Sequence, residues 1–91
     1  MTKTKTYLEC SKEWRSLDHY LFLIDHCGQR GAITAEFASC NAYGDYVSIE
    51  KADYFVVGFR PIVGGCLTKQ TKILVLPHEI VTLKPDTRYG V

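Results

Sequence analysis

The apolar positions of the first third of the chain repeat at helical spacing and then merge into a continuous run. Four apolar residues follow one another at steps of three, four and three residues, which places them on one helix face: Trp14, Leu17, Leu21 and Ile24. The aromatic and branched run of residues 20–25 is also typical of a buried strand. We therefore predict a short helix over residues 11–19, with Ser11 as its N-cap, and a strand over 20–25. One long helix over residues 11–25 is the alternative.

From residue 32 onward the pattern predicts short strands. In residues 32–39, apolar Ile33, Ala35 and Phe37 alternate with Thr34, Glu36 and Ala38, as a half-buried strand requires. Further β-rich segments follow at residues 46–50, 53–59, 71–76 and 80–83. Turns or loops are predicted between them at residues 26–31, 41–45 and 61–65, with breaks at Pro77 and Pro85.

These elements predict a mainly β, antiparallel architecture. One short helix and about five strands, without β-helix-β alternation, are typical of a small curled barrel whose open end the helix covers. With 91 residues the chain forms a single domain, in which we expect residues 1–6 and 85–91 to be loose tails. The interior is predicted to hold the following apolar side chains: Ile33, Phe37, Val47, Ile49, Val56, Ile73, Val75 and Val81.

The cysteines do not have the spacing of a metal or disulfide framework. Cys10, Cys27, Cys40 and Cys66 lie 17, 13 and 26 residues apart. Structural zinc sites use closely spaced ligand pairs, and secreted disulfide scaffolds are denser in cysteine. We predict four free, buried thiols, no metal site and no cofactor.

Catalytic chemistry has little support in the sequence. Histidine stands next to acidic or thiol side chains at residues 18–19, 25–27 and 78–79, but neighbours on a strand point to opposite faces. Cys27 and His78 would form a nucleophile and base only if the fold joined them. No glycine-rich phosphate-binding pattern occurs. We therefore predict that the protein is not an enzyme.

Net charge and hydropathy limit the classes of partner and the cellular location that we expect for this chain. The net charge is +1, so the chain as a whole has neither the basic excess of a strong nucleic-acid binder nor the acidity of a DNA mimic. The longest apolar run, residues 20–24, is far shorter than the roughly 20 residues that span a bilayer. No secretory signal pattern follows the N-terminus, so we expect a cytoplasmic protein.

The charges are nevertheless unevenly distributed. Residues 31–55 carry one lysine and four acidic residues, whereas residues 56–91 carry five basic and two acidic residues, giving −3 and +3. The acidic segment contains Asp45 and Asp53 beside Tyr43 and Tyr46. Aromatic anchors and complementary charge are typical of interfaces, so this segment is predicted to dock on a basic protein surface. An ordinary mixed surface is the alternative.

The order of these elements resembles the Rof (YaeO) family of small Sm-like proteins, which bind the transcription terminator Rho and block its RNA-binding site. The resemblance extends over about residues 7–84. It includes Cys10, Trp14 and Leu17-Asp18, the glycine turn at 28–31, and the segments 33–39, 53–57 and 71–83. The ending Leu-Pro-His-Glu-Ile-Val-Thr-Leu also resembles the last two strands of Sm-like barrels. The resemblance thus implies an Sm-like or SH3-like barrel.

The resemblance also implies a site. The family contacts Rho near an acidic, aromatic N-terminal helix, and here Trp14 and Asp18 match that pattern, with Glu13 as an acidic substitute. Ser11 and Lys12 depart from it, because an acidic pair is expected there. Trp14 is either a core anchor or an interface residue.

Three functions in different classes follow. The leading hypothesis is a non-enzymatic regulator that blocks the RNA-binding surface of a partner such as Rho. It predicts contacts from Glu13, Trp14, Asp18, Tyr43, Asp45, Tyr46 and Asp53. One alternative is an inhibitor, encoded by a phage or mobile element, of a host nuclease or defence complex. The other is direct RNA binding by an Sm-like barrel through Lys69, Lys72 and surface tyrosines.

Overall fold

The computed structural model describes residues 3–86 and shows a mainly β protein. A short α-helix (α1) and two 3-10 helices accompany seven strands. In chain order the elements are β1 (Lys3–Thr6), α1 (Tyr7–Lys12), the first 3-10 helix (Trp14–Leu17), β2 (Tyr20–His26), β3 (Gln29–Cys40), the second 3-10 helix (Ile49–Lys51), β4 (Tyr54–Val63), β5 (Cys66–Leu67), β6 (Thr71–Val75) and β7 (Ile80–Pro85).

All strand pairs are antiparallel, which confirms the predicted fold class. The strand order is β1-β7-β2-β3-β4, and both β5 and β6 pair with β4. Within residues 3–86 the hydrogen-bonded ladder does not join β6 to β7 or to β1, so the sheet stays open. The predicted closed barrel of about five strands is therefore wrong in strand number and closure.

Helix α1 lies where the sheet is open. The backbone N–H groups of Tyr7 and Leu8 donate to the carbonyl oxygens of Glu79 and Pro77, at 2.8 and 2.9 Å. These carbonyls belong to the connection between β6 and β7. The first turn of α1 therefore uses its free N–H groups to hold the two ends of the sheet together.

The helix begins earlier than the sequence predicted. Thr6 and Glu9 form a capping box, in which the Thr6 hydroxyl accepts from the Glu9 N–H and the Glu9 carboxylate accepts from the Thr6 N–H. The helix ends at Lys12, and Ser11 lies buried inside it instead of capping it. The predicted helix over residues 11–19 is thus wrong in its start and its continuity, because this range holds the end of α1 and a separate 3-10 helix. The predicted strand after it is confirmed as β2.

Several predicted loops and tails also have different structures. Of the predicted N-terminal tail, residues 3–6 form β1 on the edge of β7 and are not loose, while residues 1–2 lie outside the described residues. At the other end Pro85 closes β7 and Asp86 is buried, while residues 87–91 lie outside the described residues. Residues 46–50 contain a single β-bridge and part of a 3-10 helix instead of a strand. Strand β4 continues to Val63, through the predicted loop.

The core lies between α1 and the concave face of the sheet. Tyr7 packs on Phe55, with ring centroids 4.8 Å apart. The buried cluster comprises Tyr7, Cys10, Leu17, Phe22, Ile24, Ile33, Phe55, Val57, Phe59, Val75, Val81 and Leu83. Of the predicted interior residues, Ile33, Val75 and Val81 are buried, Ile49 and Ile73 pack against the cluster, Val47 and Val56 are half-buried outside it, and Phe37 is 48% exposed.

Two bulges explain the error at Phe37. The register between β3 and β4 shifts between Ile33 and Ala35 and again between Glu36 and Ala38. Each shift inserts one residue into β3, and Phe37 is the second inserted residue. Because a one-residue shift reverses the faces, Glu36 pairs with buried Val57 and turns toward the concave side.

Candidate protein-binding surface

Trp14 links the core to the surface. The first 3-10 helix places its indole edge-to-face on the buried Phe22 ring, at 4.6 Å between centroids and 82° between planes. The side chain is half-buried and contributes to the walls of three surface grooves. Trp14 is therefore both packed on the core and accessible to a partner, so the two predicted roles are compatible.

The two acidic residues near Trp14 differ in their availability. Glu13 accepts a hydrogen bond from the Lys5 ammonium at 2.5 Å, and this contact raises the pKa of Lys5. The charge of Glu13 is thus balanced within the chain. Asp18 is exposed and shares a groove of about 270 Å³ with Trp14, Arg60 and other residues. Asp18 is the better placed of the two to meet a basic partner.

The second predicted group lies on the connection between β3 and β4. Tyr43 and Tyr46 are 91% and 84% exposed. The Asn41 side-chain oxygen accepts from the N–H groups of Tyr43 and Asp45, which forms a local turn. The Asp53 carboxylate accepts from the Ala42 N–H at 2.8 Å, so it holds this loop together. Asp45 remains exposed.

The structure brings only part of the predicted site together. Glu13, Trp14 and Asp18 lie on one surface around the first 3-10 helix. None of the four loop residues lines a groove that Trp14 lines. The link between the two regions is Ile49, which faces Trp14 across a shared groove.

Apart from Trp14, the residues that line this shared groove, here called the Glu36 groove, were not among the predicted site residues. It encloses about 440 Å³ and is lined by Trp14, Glu36, Phe37, Ala38, Ser39 and Ile49. The Ser11 hydroxyl donates to the Glu36 carboxylate, with its oxygen 2.8 and 2.9 Å from the two carboxylate oxygens. Strict alternation predicted Glu36 on the outside and Phe37 inside, and no feature of the sequence marks the bulge that reverses them.

The Tyr7 hydroxyl lies beneath the same region. Burial and the neighbouring Glu36 carboxylate raise the pKa of Tyr7. The Tyr7 hydroxyl makes no well-formed hydrogen bond among residues 3–86, but it lies close enough to the Glu36 carboxylate for a contact that adds to the raised pKa of Tyr7. Glu36 therefore lies between the buried hydroxyl-bearing residues Tyr7 and Ser11 and an open groove.

The surface charges are less segregated than the −3 and +3 halves suggest. In the acidic half, Glu36 is half-buried and Asp53 bonds to the loop backbone, which leaves Asp45 and Glu50 as exposed acids without such ties. In the basic half, the Lys72 ammonium lies 5.1 Å from the centroid of the Phe37 ring.

The cysteines are free, but only two are buried. Cys10 and Cys40 are buried, whereas Cys27 and Cys66 are exposed, which corrects the prediction for the latter two. Burial raises the pKa of Cys10 to about 11, so its thiol stays protonated near neutral pH. Cys27 lies in the β2–β3 turn and His78 before β7. No hydrogen bond among residues 3–86 joins them.

Two further findings concern the described part of the chain. In residues 3–86 no three His, Cys, Asp or Glu side chains are grouped so that they could hold a metal ion. None of the helices in this range combines the length and the apolar character that crossing a membrane needs.

Comparisons with protein-family models, with curated proteins and with solved structures find no match to this chain. The resemblance to the Rof family therefore rests on the quoted residues alone.

Proposed function

We propose that this protein is a non-enzymatic, cytoplasmic regulator that binds a nucleic-acid-handling protein and occupies its RNA-binding surface. The transcription terminator Rho is the candidate partner that the sequence resemblance names. The observation that carries the proposal is the position of Trp14, half-exposed on a fixed support where three grooves meet. No cofactor takes part in this function.

A tryptophan in this position has the properties of an interface anchor. Its ring is held by the edge-to-face contact with Phe22, so binding costs little side-chain entropy. Tryptophan is enriched among the residues that dominate binding energy, especially where neighbouring side chains exclude water. The grooves on its sides supply such neighbours.

The grooves around Trp14 are lined by carboxylates and by the basic residues Lys12, Arg15 and Arg60, and the proposal depends on the carboxylates. Asp18 lines one Trp14 groove and Glu36 lines another. RNA-binding surfaces are basic, and complementary charge steers association and fixes the orientation of the partner. Occupation of such a surface by protein carboxylates would exclude RNA by competition for the same cations.

The test is binding of purified Rho to the full chain, followed by competition with single-stranded RNA. We expect the protein and RNA to displace one another, and Trp14→Ala and Asp18→Lys to weaken Rho binding. Asp25→Lys is the charge-matched control: Asp25 is exposed at the far end of β2, pairs with Arg30 at the surface and lines none of the Trp14 grooves, so its change should leave binding unchanged. Absence of Rho binding, or binding that RNA does not affect, would reject the proposal.

The same experiment distinguishes our proposal from direct binding of RNA by this chain. Lys69 and Lys72 are both exposed near β6, so an RNA-binding surface would require them. If the chain itself binds the RNA at low salt and Lys69→Ala removes that binding, the regulator proposal fails in favour of the RNA-binding one. Under our proposal Lys69→Ala has no effect.

A further inference from the structure

The Glu36 groove contains a half-buried carboxylate without a counter-ion. The salt bridges among residues 3–86 join Lys5 to Glu13 and Arg30 to Asp25, and Glu36 belongs to neither. A partly buried charge is costly unless it is paired and hydrogen-bonded. The groove therefore offers a carboxylate that is hydrogen-bonded but that no ion pair within residues 3–86 neutralises.

The carboxylate is held in place but is not saturated. The Ser11 hydroxyl is shared between its two oxygens at 2.8 and 2.9 Å, and the Tyr7 hydroxyl also lies close to it. A carboxylate offers about four acceptor positions, so positions remain for further donors. Since Ser11 is fixed in α1 and Glu36 in β3, a ligand would meet an oriented acceptor.

Aromatic side chains form part of the groove wall. Trp14 and Phe37 both line it together with Glu36. Such rings attract cations through their π faces. The Lys72 ammonium lies over the Phe37 ring at 5.1 Å, so the Trp14 indole is the ring that remains for stacking on a further cation. A carboxylate beside aromatic rings suits a planar guanidinium, which can stack on a ring while it donates two parallel hydrogen bonds to the carboxylate.

We propose that the Glu36 groove binds the guanidinium group of an arginine side chain on the partner protein. Glu36 accepts hydrogen bonds from the guanidinium, and Trp14 and Phe37 contact its apolar stem and plane. Ser11 orients the carboxylate. This inference rests on the proposed function for the identity of the partner, since a basic RNA-binding surface supplies such an arginine. The groove itself can be tested without the partner.

The test uses N-acetyl-arginine amide as the probe, with N-acetyl-citrulline amide as its neutral counterpart of nearly equal shape. Trp14 is the single tryptophan of the chain, so its fluorescence reports directly on the groove. We expect saturable binding of the arginine compound with an affinity of about millimolar, and none of the citrulline compound. Equal binding of both compounds, or of neither, would overturn the inference.

Variants locate the site. Glu36→Gln should weaken binding of the arginine compound by about tenfold or more, because a neutral amide replaces a charge-assisted acceptor. Glu50→Gln is the matched control, since Glu50 is exposed and does not line the groove, and it should bind normally. Phe37→Ala is the second variant, because Phe37 is 48% exposed and its loss spares the core. If Phe37→Ala and Glu36→Gln, measured as two separate variants, both bind the arginine compound as well as the unchanged protein does, the groove is not its binding site.

The two proposals fail in different ways. If the arginine compound binds and Glu36→Gln prevents it, but Rho does not bind, the groove stands and the proposed function fails. If Rho binds and Glu36→Gln binds Rho as well as the unchanged protein does, the proposed function stands and the guanidinium site fails.

Discussion

Ser11 in α1 and Glu36 in β3, 25 residues apart, are joined by one hydroxyl that lies 2.8 and 2.9 Å from the two carboxylate oxygens. This contact exists because the capping box starts the helix early enough to bury Ser11 and because a bulge turns Glu36 to the concave face. The same pair fixes the helix on the sheet and orients the acidic floor of the groove. This one contact therefore bears both on stability and on the proposed binding of a guanidinium group.

Ser11→Ala is expected to destabilise the protein by about 1–3 kcal/mol, because it removes a hydrogen bond to a half-buried charge. Alanine has a higher helix propensity than serine, which offsets a small part of this loss of stability. The measurement is urea unfolding at neutral pH. Ser16→Ala is the control: Ser16 is exposed and donates to the Glu13 carbonyl, and its loss should cost no more than about 0.5 kcal/mol.

Two strand glycines should respond differently to an added methyl group. A Cβ at Gly31 would lie 2.5 Å from the buried Phe59 ring and 2.6 Å from the Arg60 carbonyl oxygen. A Cβ at Gly58 would meet the Gln70 side chain at 2.8 Å and the Thr34 hydroxyl at 3.0 Å. Backbone and a packed ring cannot move aside as an exposed side chain can.

Gly31→Ala should therefore cost about 2–3 kcal/mol or more, and Gly58→Ala about 1 kcal/mol or less. Thermal and urea unfolding of the two variants, compared side by side, give the result. A larger loss for Gly58→Ala than for Gly31→Ala would show that the close approach of β3 and β4 at Gly31 is wrong.

The strand residues show which parts of the structure could be predicted from the sequence. Alternation predicted the β-rich segments, and spacing at Ile33, Val75 and Val81 predicted core positions correctly, because these strands keep a period of two. Alternation failed at Phe37 and Glu36, because a bulge depends on the pairing of β3 with β4 and not on either segment alone. The groove was missed for that reason. Within the predicted site, Trp14 does line a groove. The contact with Lys5 that neutralises Glu13 could not be predicted, because it forms only when the chain folds.

The capping box makes stability depend on acid pH. Hydrogen bonds from the Thr6 backbone and hydroxyl lower the pKa of Glu9 below its ordinary value of 4.5. Because the folded state holds the ionised form, the stabilisation is present above that ordinary value and is lost as the pH falls through the lowered pKa. Glu9→Gln should therefore reduce stability at neutral pH and have no effect under strongly acidic conditions.

Urea unfolding of wild type and Glu9→Gln between about pH 2 and pH 7 measures this dependence. In a Thr6→Ala background the donor hydroxyl is absent, so the effect of Glu9→Gln should shrink, as a double-mutant cycle would show. An effect of the same size in both backgrounds would mean that the Thr6–Glu9 contact does not couple to stability.

The thiols should divide into two reactive classes. Cys27 and Cys66 are exposed, whereas Cys10 and Cys40 are buried. Only the exposed pair should react with a thiol reagent in the native protein, and all four should react in denaturant. Mass spectrometry of the labelled chain counts them. Native labelling at Cys10 would show that α1 opens on the time scale of the reaction.

Burial of Cys10 predicts a loss of stability at alkaline pH. Its pKa rises from 9.0 to about 11 on folding, so above about pH 9 the unfolded chain releases this proton while the native protein keeps it. Stability then falls between these two values, by at most about 3 kcal/mol. Tyr7, whose pKa is also raised by burial, adds to the loss in the same direction.

Urea unfolding between about pH 9 and pH 11 should show a shallower decline of stability in Cys10→Ala than in wild type. Cys66→Ala, which removes an exposed thiol, should follow the wild-type curve. Parallel curves for Cys10→Ala and wild type would contradict the burial of Cys10 as the cause.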